Sequence, residues 1–104
     1  YYIMKSDQDQ FNVLRSLDKE KNISQRKLAS RLGYSLGKLN YLINALKKKG
    51  FIKINRFKKN KEKIGYIYIL TPSGITKRTK YALTFMKRQM KEYEELKKDI
   101  SKYD

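Results

Sequence analysis

The chain has 104 residues, of which 39% are apolar, so there is room for one small domain with a modest core. Its net charge is +16, from 26 basic and 10 acidic residues, and it contains neither cysteine nor histidine. This composition excludes disulfides and thiolate metal sites and gives no support to an enzyme or a cofactor site.

A first helix is predicted over about residues 9–19. Apolar side chains recur there at helical spacing, and they are Phe11, Val13, Leu14 and Leu17. We interpret this helix as support for the core and assign no chemistry to it.

Residues 23–50 carry the signals of two short helices joined by a tight turn. A serine that can cap the first turn precedes each helix, and a glycine that can adopt a left-handed conformation follows it. These four residues are Ser24, Gly33, Ser35 and Gly50. Two capped helices around a turn of about three residues that contains glycine predict a helix-turn-helix.

The second of these helices, predicted from Ser35 to Lys49, has two contrasting sides. Its buried side consists of Leu39, Leu42, Ile43 and Leu46, which fall on one stripe at helical spacing. The opposite side, here called the outer face, consists of Gly37, Tyr41, Asn44 and Lys48, with Lys38 and Asn40 on its flanks. The outer face has amides, a phenol and cations but no carboxylate, which suits contact with bases and phosphates. A merely solvated helix surface is the alternative.

After Gly50 the apolar spacing becomes that of strands. Residues 51–57 place Ile52 and Ile54 on one side, and residues 64–70 are rich in isoleucine and tyrosine. Residues 58–63 include four lysines and are too polar to pack, so they predict the tip of a β-hairpin. The whole hairpin is here called the wing. An ordinary solvated turn is the alternative for the tip.

One long helix is predicted at the end of the chain. Thr71 suits its N-cap, Pro72 suits its first position, and neither proline nor glycine occurs from Ile75 to Ser101. An apolar seam runs along it, and the part here called the C-terminal stripe comprises Leu83, Met86, Met90, Tyr93, Leu96 and Ile100. A helix about 40 Å long exceeds so small a domain. We expect the first two turns to pack on the chain's own domain and the C-terminal stripe to form a dimer interface.

The positive charge is concentrated in the middle of the chain. Residues 24–65 hold thirteen basic residues and one acid, a net of +12 out of +16. Such a concentration of one sign is typical of proteins that bind a polyanion. The predicted DNA-contacting residues are Ser24, Gln25, Arg26, Ser35, Gly37, Lys38, Asn40, Tyr41, Asn44, Lys48, Arg56, Lys58, Lys59, Lys61 and Lys63.

Two phrases carry a resemblance to a known family: residues 23–53, ISQRKLASRLGYSLGKLNYLINALKKKGFIK, and residues 66–75, YIYILTPSGI. Over nearly the whole chain the sequence resembles the MarR family of transcription regulators, and within it the small subgroup associated with exopolysaccharide (EPS) gene clusters. The LTPSG phrase resembles the leucine-threonine-x-x-glycine of MarR proteins. The resemblance implies a homodimeric DNA-binding regulator whose helix from Ser35 to Lys49 enters the major groove.

The sequence departs from that family in the wing and in length. MarR wings commonly carry an acid followed two positions later by an arginine that enters the minor groove. Here the acid would be Glu62, and Ile64 occupies the arginine position, so Lys61, Lys63 or Arg56 would have to replace it. The chain is also too short for the multi-helix dimerisation region and effector pocket of larger members. A small-molecule effector is therefore not supported by the sequence and is left as unknown.

We therefore predict a mainly α fold with a small β-hairpin. A winged helix-turn-helix domain in residues 1–72 is followed by one long dimerisation helix in residues 73–104. The predicted partners are double-stranded DNA carrying an inverted repeat and a second copy of the chain. No membrane partner is expected, because the longest apolar run, residues 66–70, is too short to span a bilayer. The N-terminus shows no signal-peptide pattern, so a cytoplasmic location is expected.

A second class of function stays open, namely a winged-helix module that binds RNA or a protein partner without regulating an operator. Affinity for phosphates does not distinguish DNA from RNA. The polar outer face argues against a purely apolar docking role.

The wing generates a test. If its lysines meet phosphates, replacing Lys59 and Lys61 with alanine should flatten the log–log salt dependence of DNA affinity by up to about 2, since each contact contributes about 0.9. The loss of affinity should be equal for all duplex sequences. Fluorescence anisotropy at several salt concentrations measures the slope, and an unchanged slope would mean that the tip is only solvated.

Overall fold

The computed structural model describes residues 5–58 and 64–103. Its elements are α1 (Lys5–Lys19), α2 (Gln25–Leu32), α3 (Leu36–Lys48), β1 (Ile52–Lys58), β2 (Ile64–Leu70) and α4 (Pro72–Ser101). The predicted class, a winged helix-turn-helix followed by one long helix, is confirmed. Helix α1 begins at Lys5, four residues earlier than predicted, because residues 5–8 are polar and give no apolar periodicity.

The predicted caps of α2 and α3 are confirmed. The Ser24 hydroxyl accepts a hydrogen bond from the Lys27 amide at 3.2 Å, and the Ser35 hydroxyl accepts one from the Lys38 amide at 3.1 Å. The two terminating glycines, Gly33 and Gly50, have φ of 74° and 79°. These are left-handed conformations that side chains with a Cβ rarely adopt, so the turn after each helix depends on glycine.

The core forms where α1, α2, α3 and the hairpin meet. The buried side of α3 lies at its centre, with Leu39, Ile43 and Leu46 completely inaccessible to solvent. It packs in one cluster with side chains from the other elements, which include Val13, Leu14, Leu17, Leu28, Ile52 and Tyr68. Because this side is buried, the outer face of the same helix must lie at the surface.

The wing is a two-stranded antiparallel sheet in which Ile52 pairs with Leu70 and Lys58 pairs with Ile64. The connector after α1 joins it, because the Tyr68 amide donates a hydrogen bond to the Lys21 carbonyl at 2.8 Å. The predictions made for Lys59, Lys61, Glu62 and Lys63, and for the side chain of Lys58, lie outside the described residues.

The LTPSG phrase fixes the start of α4 against the end of α3. The Thr71 hydroxyl donates to the Gly50 carbonyl at 2.5 Å and accepts from the Gly74 amide at 3.0 Å, which confirms it as the N-cap. The Thr71 amide donates to the Phe51 carbonyl at 3.0 Å. A Cβ on Gly74 would collide with the Phe51 carbonyl oxygen, so only glycine fits there.

Helix α4 has 30 residues, which corresponds to a length of about 45 Å. Its first half packs on α1, where the ring of Phe11 lies 6.4 Å from that of Tyr81 and 6.2 Å from that of Phe85. Contact with the chain's own domain therefore reaches the fourth turn, rather than the second turn as predicted. Tyr81 and Phe85 lie beside the heptad seam, so its spacing did not identify them.

The second half of α4 extends away from the rest of the chain. Every residue from Met86 to Tyr103 is exposed, and the principal extents of the molecule are 68 × 26 × 20 Å. The radius of gyration is 17.5 Å. A compact chain of this length would have about 13 Å. The division into a domain at residues 1–72 and a dimerisation segment at residues 73–104 stays a prediction.

The close approach at Gly74 generates a stability test. Gly74→Ala should lower the free energy of unfolding by about 1–3 kcal/mol, because the new methyl group meets a backbone carbonyl that cannot move alone. Gly37→Ala is the matched control: it is helical and has no neighbour within 4 Å of an added Cβ, so it should raise stability by about 0.5–1 kcal/mol. Urea titration measures both changes, and an unaffected Gly74→Ala variant would contradict the account of this junction.

Candidate nucleic-acid interface

The outer face of α3 is a continuous exposed surface. Tyr41 is 71% exposed, and Gly37, Asn40, Asn44 and Lys48 are exposed as well. The Asn44 side-chain amide donates to the side-chain oxygen of Asn40 at 3.3 Å, so the two amides lie side by side one turn apart. The structure thus brings five of the six predicted outer-face residues together with their polar groups in solvent.

Lys38, on the flank of the outer face, is engaged within the protein. Its ammonium lies 3.0 Å from a carboxylate oxygen of Asp9 on α1 and 4.2 Å from the centre of the Tyr34 ring. An ammonium held by a carboxylate and an aromatic ring is not an open donor for guanine or phosphate. No local pattern signals this contact, because Asp9 and Lys38 are far apart in the chain.

Asp9 is the centre of a polar network that fastens α1 to the start of α3. The Tyr34 hydroxyl donates to Asp9 at 2.8 Å and accepts from the Asn12 amide at 3.1 Å. Burial acts to raise the pKa of Asp9, but hydrogen bonds from Tyr34 and Lys38 and the charges of Lys38 and Lys5 outweigh it, so the pKa lies below its ordinary value. Asp9 is therefore ionised at neutral pH, and its charge holds Lys38 in place.

A groove of about 620 Å³ lies between the start of α2, the outer face of α3 and the wing. Four of the predicted DNA-contacting residues line it: Ser24, Gln25, Asn44 and Arg56. Asn22, Lys47 and Tyr66 also line it, and sequence reasoning had not selected them. Lys47 follows Asn44 by three positions and therefore lies on the same side of α3, which is the signal that could have identified it.

Charge in the folded chain is distributed differently from charge along the sequence. Two acids from outside the basic segment reach it: Asp9 pairs with Lys38, and Glu20 lies 2.6 Å from the Arg31 guanidinium. Among the residues that the structure describes, no carboxylate forms an ion pair with Arg26, Lys47, Lys48 or Arg56. The guanidinium of Arg56 lies 6.0 Å from the centre of the Tyr66 ring. These four cations lie at the start of α2, at the end of α3 and on the wing, so this side of the described molecule holds positive charge that no ion pair offsets.

Within residues 5–58 and 64–103 we find no group of three or more potential metal ligands. No helix in this part of the chain combines the length and the apolar character that crossing a membrane requires.

The network around Asp9 generates a test of stability against pH. A carboxylate whose pKa is depressed by folding contributes stability that is complete above its unfolded pKa and is lost as pH falls through the folded value. Asp9→Asn should therefore lower the free energy of unfolding by about 1–3 kcal/mol at neutral pH. The difference from the wild type should shrink only below about pH 4. Asp99→Asn, an exposed change on α4, is the control, and equal effects of the two variants would contradict the proposed network.

Comparison with known proteins identifies the type of fold. Residues 7–53 match a family model described as winged helix-turn-helix DNA-binding. No curated protein sequence matches the chain. Solved structures do, and the chain spans between about half and two thirds of the length of the three described here.

The first of these structures is a mutant of MarR from E. coli in complex with operator DNA, with 26% identity, a TM-score of 0.59, and coverage of 70% of this chain and 51% of that one. The second is the transcriptional repressor CouR bound to a 23-mer DNA duplex, with 24% identity, a TM-score of 0.70, and coverage of 85% and 61%. The third is a mutant of ZitR from Lactococcus lactis, with 20% identity, a TM-score of 0.68, and coverage of 92% and 63%. The chain therefore has the fold of MarR-like transcriptional regulators, with a winged helix-turn-helix of the DNA-binding type.

Proposed function

We propose that this chain is a sequence-specific regulator of transcription that binds double-stranded DNA as a homodimer. The observation that carries the proposal is the outer face of α3, an exposed helix surface with amides, a phenol and a cation and no acid. MarR in complex with operator DNA and CouR bound to a DNA duplex support it, since both share this fold. A regulator of this kind acts on the chromosome, so the proposal includes a cytoplasmic location.

In this proposal the outer face of α3 reads bases in the major groove. Asn40 and Asn44 can each form paired hydrogen bonds to adenine, and Tyr41 can contact a thymine methyl group or a phosphate. Gly37 lets the backbone come close to the duplex, because nothing lies within 4 Å of the place of its missing Cβ. Lys38 reaches the duplex only by exchanging Asp9 for a phosphate or a guanine. Its first role is therefore to fix α3 against α1.

The phosphate contacts surround this reading surface. Ser24, Gln25 and Arg26 lie at the start of α2, where free backbone amides favour an anion. Ser35 occupies the same position on α3, and Lys48 and Arg56 stand at the end of α3 and on the wing. We include Lys58, Lys59, Lys61 and Lys63 from the sequence pattern alone, since their side chains lie outside the described residues.

The second copy is proposed to pair through the C-terminal stripe. Its six residues are between 48% and 64% exposed, which is a continuous apolar strip on a helix that extends beyond its own domain. A two-fold dimer is the commonest way to bury such a surface. Two copies of α3 would then face successive major grooves about 34 Å apart, so the operator should be an inverted repeat with half-sites about 10 base pairs apart. The resemblance to the EPS-associated subgroup suggests EPS biosynthesis genes as the target.

Recognition of RNA is the second candidate, since the same cations would bind any polynucleotide. Titration of labelled duplex DNA and single-stranded RNA of equal length, at two salt concentrations, separates the two. The proposal requires tighter binding to duplex DNA at both concentrations, and a preference for RNA would replace it.

The outer face generates a test of sequence reading. Asn44→Ala should weaken binding to the specific site by about 1–3 kcal/mol while leaving affinity for random duplexes nearly unchanged. Lys48→Ala is the comparison variant, because loss of a phosphate contact should weaken both alike. Anisotropy titration with both duplexes measures the changes, and equal losses for Asn44→Ala would remove this residue from the base-reading set.

The C-terminal stripe generates a test of assembly. Met90→Lys combined with Leu96→Lys should give a folded monomer, because two charges would have to be buried in the interface. Affinity for the site should then fall by orders of magnitude, since the half-sites would bind independently. Glu95→Lys with Asp99→Lys adds two lysines away from the stripe and should weaken the dimer far less. Analytical ultracentrifugation shows the outcome, and a wild-type monomer at tens of micromolar would overturn the dimer.

A further inference from the structure

Charge is segregated along α4. Residues 72–91 contain six basic residues and no acid, whereas residues 92–99 contain four acids and two basic residues. The same helix carries the C-terminal stripe, which is exposed along its whole length. A second copy of α4 therefore offers an apolar surface. In one of the two possible orientations it also places its basic segment beside the acidic segment of the first copy.

We propose that two copies of α4 pair in antiparallel orientation, with the two-fold axis between Lys91 and Glu92. This inference rests on the proposed homodimer and adds to it the direction and register of the contact. In this orientation the acidic end of each helix lies along the basic half of the other. A parallel pair would place the two acidic ends side by side and the two basic halves side by side, which costs electrostatic free energy.

Most of the stripe matches this register. Residues 83, 86, 90, 93, 97 and 100 follow alternate steps of three and four, as in a coiled-coil seam; five of them are apolar, position 97 is a lysine, and Leu96 lies at the edge of the seam. About an axis between residues 91 and 92, Leu83 lies opposite Ile100 of the partner subunit, and Met90 lies opposite Tyr93 of the partner subunit. Met86 then faces Lys97 of the partner subunit, whose methylene stem can cover an apolar neighbour while the ammonium stays in water.

Charged residues beside the seam match it as well. Lys87 and Glu94 flank the same edge of the C-terminal stripe, seven residues and two helical turns apart. In the antiparallel register Lys87 lies beside Glu94 of the partner subunit, and the two-fold axis repeats the pair. In a parallel pair Glu94 would lie beside Gln89 of the partner subunit, with no opposite charge.

The position of the winged domain on α4 gives an independent check. The domain packs on α4 between Gly74, which lies against the Phe51 backbone, and Phe85, which contacts Phe11. The middle of this segment lies about twelve residues from the proposed axis, so the two domains would be about 36 Å apart along the pair. Successive major grooves on one side of a duplex are about 34 Å apart, which is the spacing that an inverted repeat requires.

Cross-linking tests the direction, and the chain has no native cysteine to interfere. Single Leu83→Cys, Met90→Cys and Ile100→Cys variants are treated with a short bismaleimide, alone and in mixtures. Met90→Cys should cross-link with itself, because it lies close to the axis. Leu83→Cys alone and Ile100→Cys alone should not, since each would be about 25 Å from its own copy along the pair. A mixture of these two variants should give a cross-linked heterodimer.

Other outcomes separate the two claims. Self-cross-linking of Leu83→Cys and Ile100→Cys would overturn the antiparallel orientation and leave the homodimer standing. A wild-type dimer in ultracentrifugation with no cross-link in any variant would show that α4 is not the interface. A wild-type monomer would overturn the homodimer itself, and the orientation with it.

Glu94 and Glu95 are adjacent in the chain, so the same change of charge at each position gives two matched variants that test the contact with Lys87. Glu94→Lys should raise the dimer dissociation constant about tenfold, because two attractive pairs become repulsive. Glu95→Lys makes the same change of charge on the side of α4 away from the stripe, so it should raise the dissociation constant by a clearly smaller factor. Equal changes in the two variants would overturn the proposed contact between Lys87 and Glu94 of the partner subunit.

Discussion

The structure depends on the burial of one side of α3. Leu39, Ile43 and Leu46 lie at the centre of a core to which α1, α2 and the hairpin all contribute. Removing such side chains from water is the main favourable term in folding a domain this small, and it fixes the rotation of the helix. Because the apolar side must face inward, the outer face must point outward. The proposed function thus follows from the same constraint as the fold.

The junction between α3 and α4 carries this constraint to the other end of the molecule. Thr71 bonds to the carbonyl of Gly50 while capping α4, and Gly74 lies against the backbone of Phe51. The start of α4 is therefore held against the turn that ends α3. A second attachment comes from the contacts of Phe11 with Tyr81 and Phe85. With both in place, pairing of two α4 helices would fix the separation of the two α3 helices, as recognition of two half-sites requires.

Most of the fold could be predicted because its signals are local. The serine caps, the terminating glycines and the change from helical to strand spacing each lie within a few residues, and they place α2, α3 and both strands correctly. Contacts between distant parts of the chain could not be predicted. Asp9 meets Lys38 across 29 positions, and Tyr81 meets the α1 residues Asp7 and Gln10 at 3.3 Å each across more than 70. The contact with Asp9 changes the candidate site because it engages Lys38, and the groove between α2, α3 and the wing adds Lys47 to that site. Charge counted along the sequence predicts a polyanionic partner, but only the fold shows which of the described cations form ion pairs with acids.

The central claim is that two copies of this chain read one duplex through α3. Selection of tightly bound fragments from a pool of random duplexes tests it most directly, with sequencing of the fragments that survive washing at raised salt. The account predicts an enriched inverted repeat whose half-sites are about 10 base pairs apart. Enrichment of a single unpaired half-site, or no enrichment of any sequence, would contradict it.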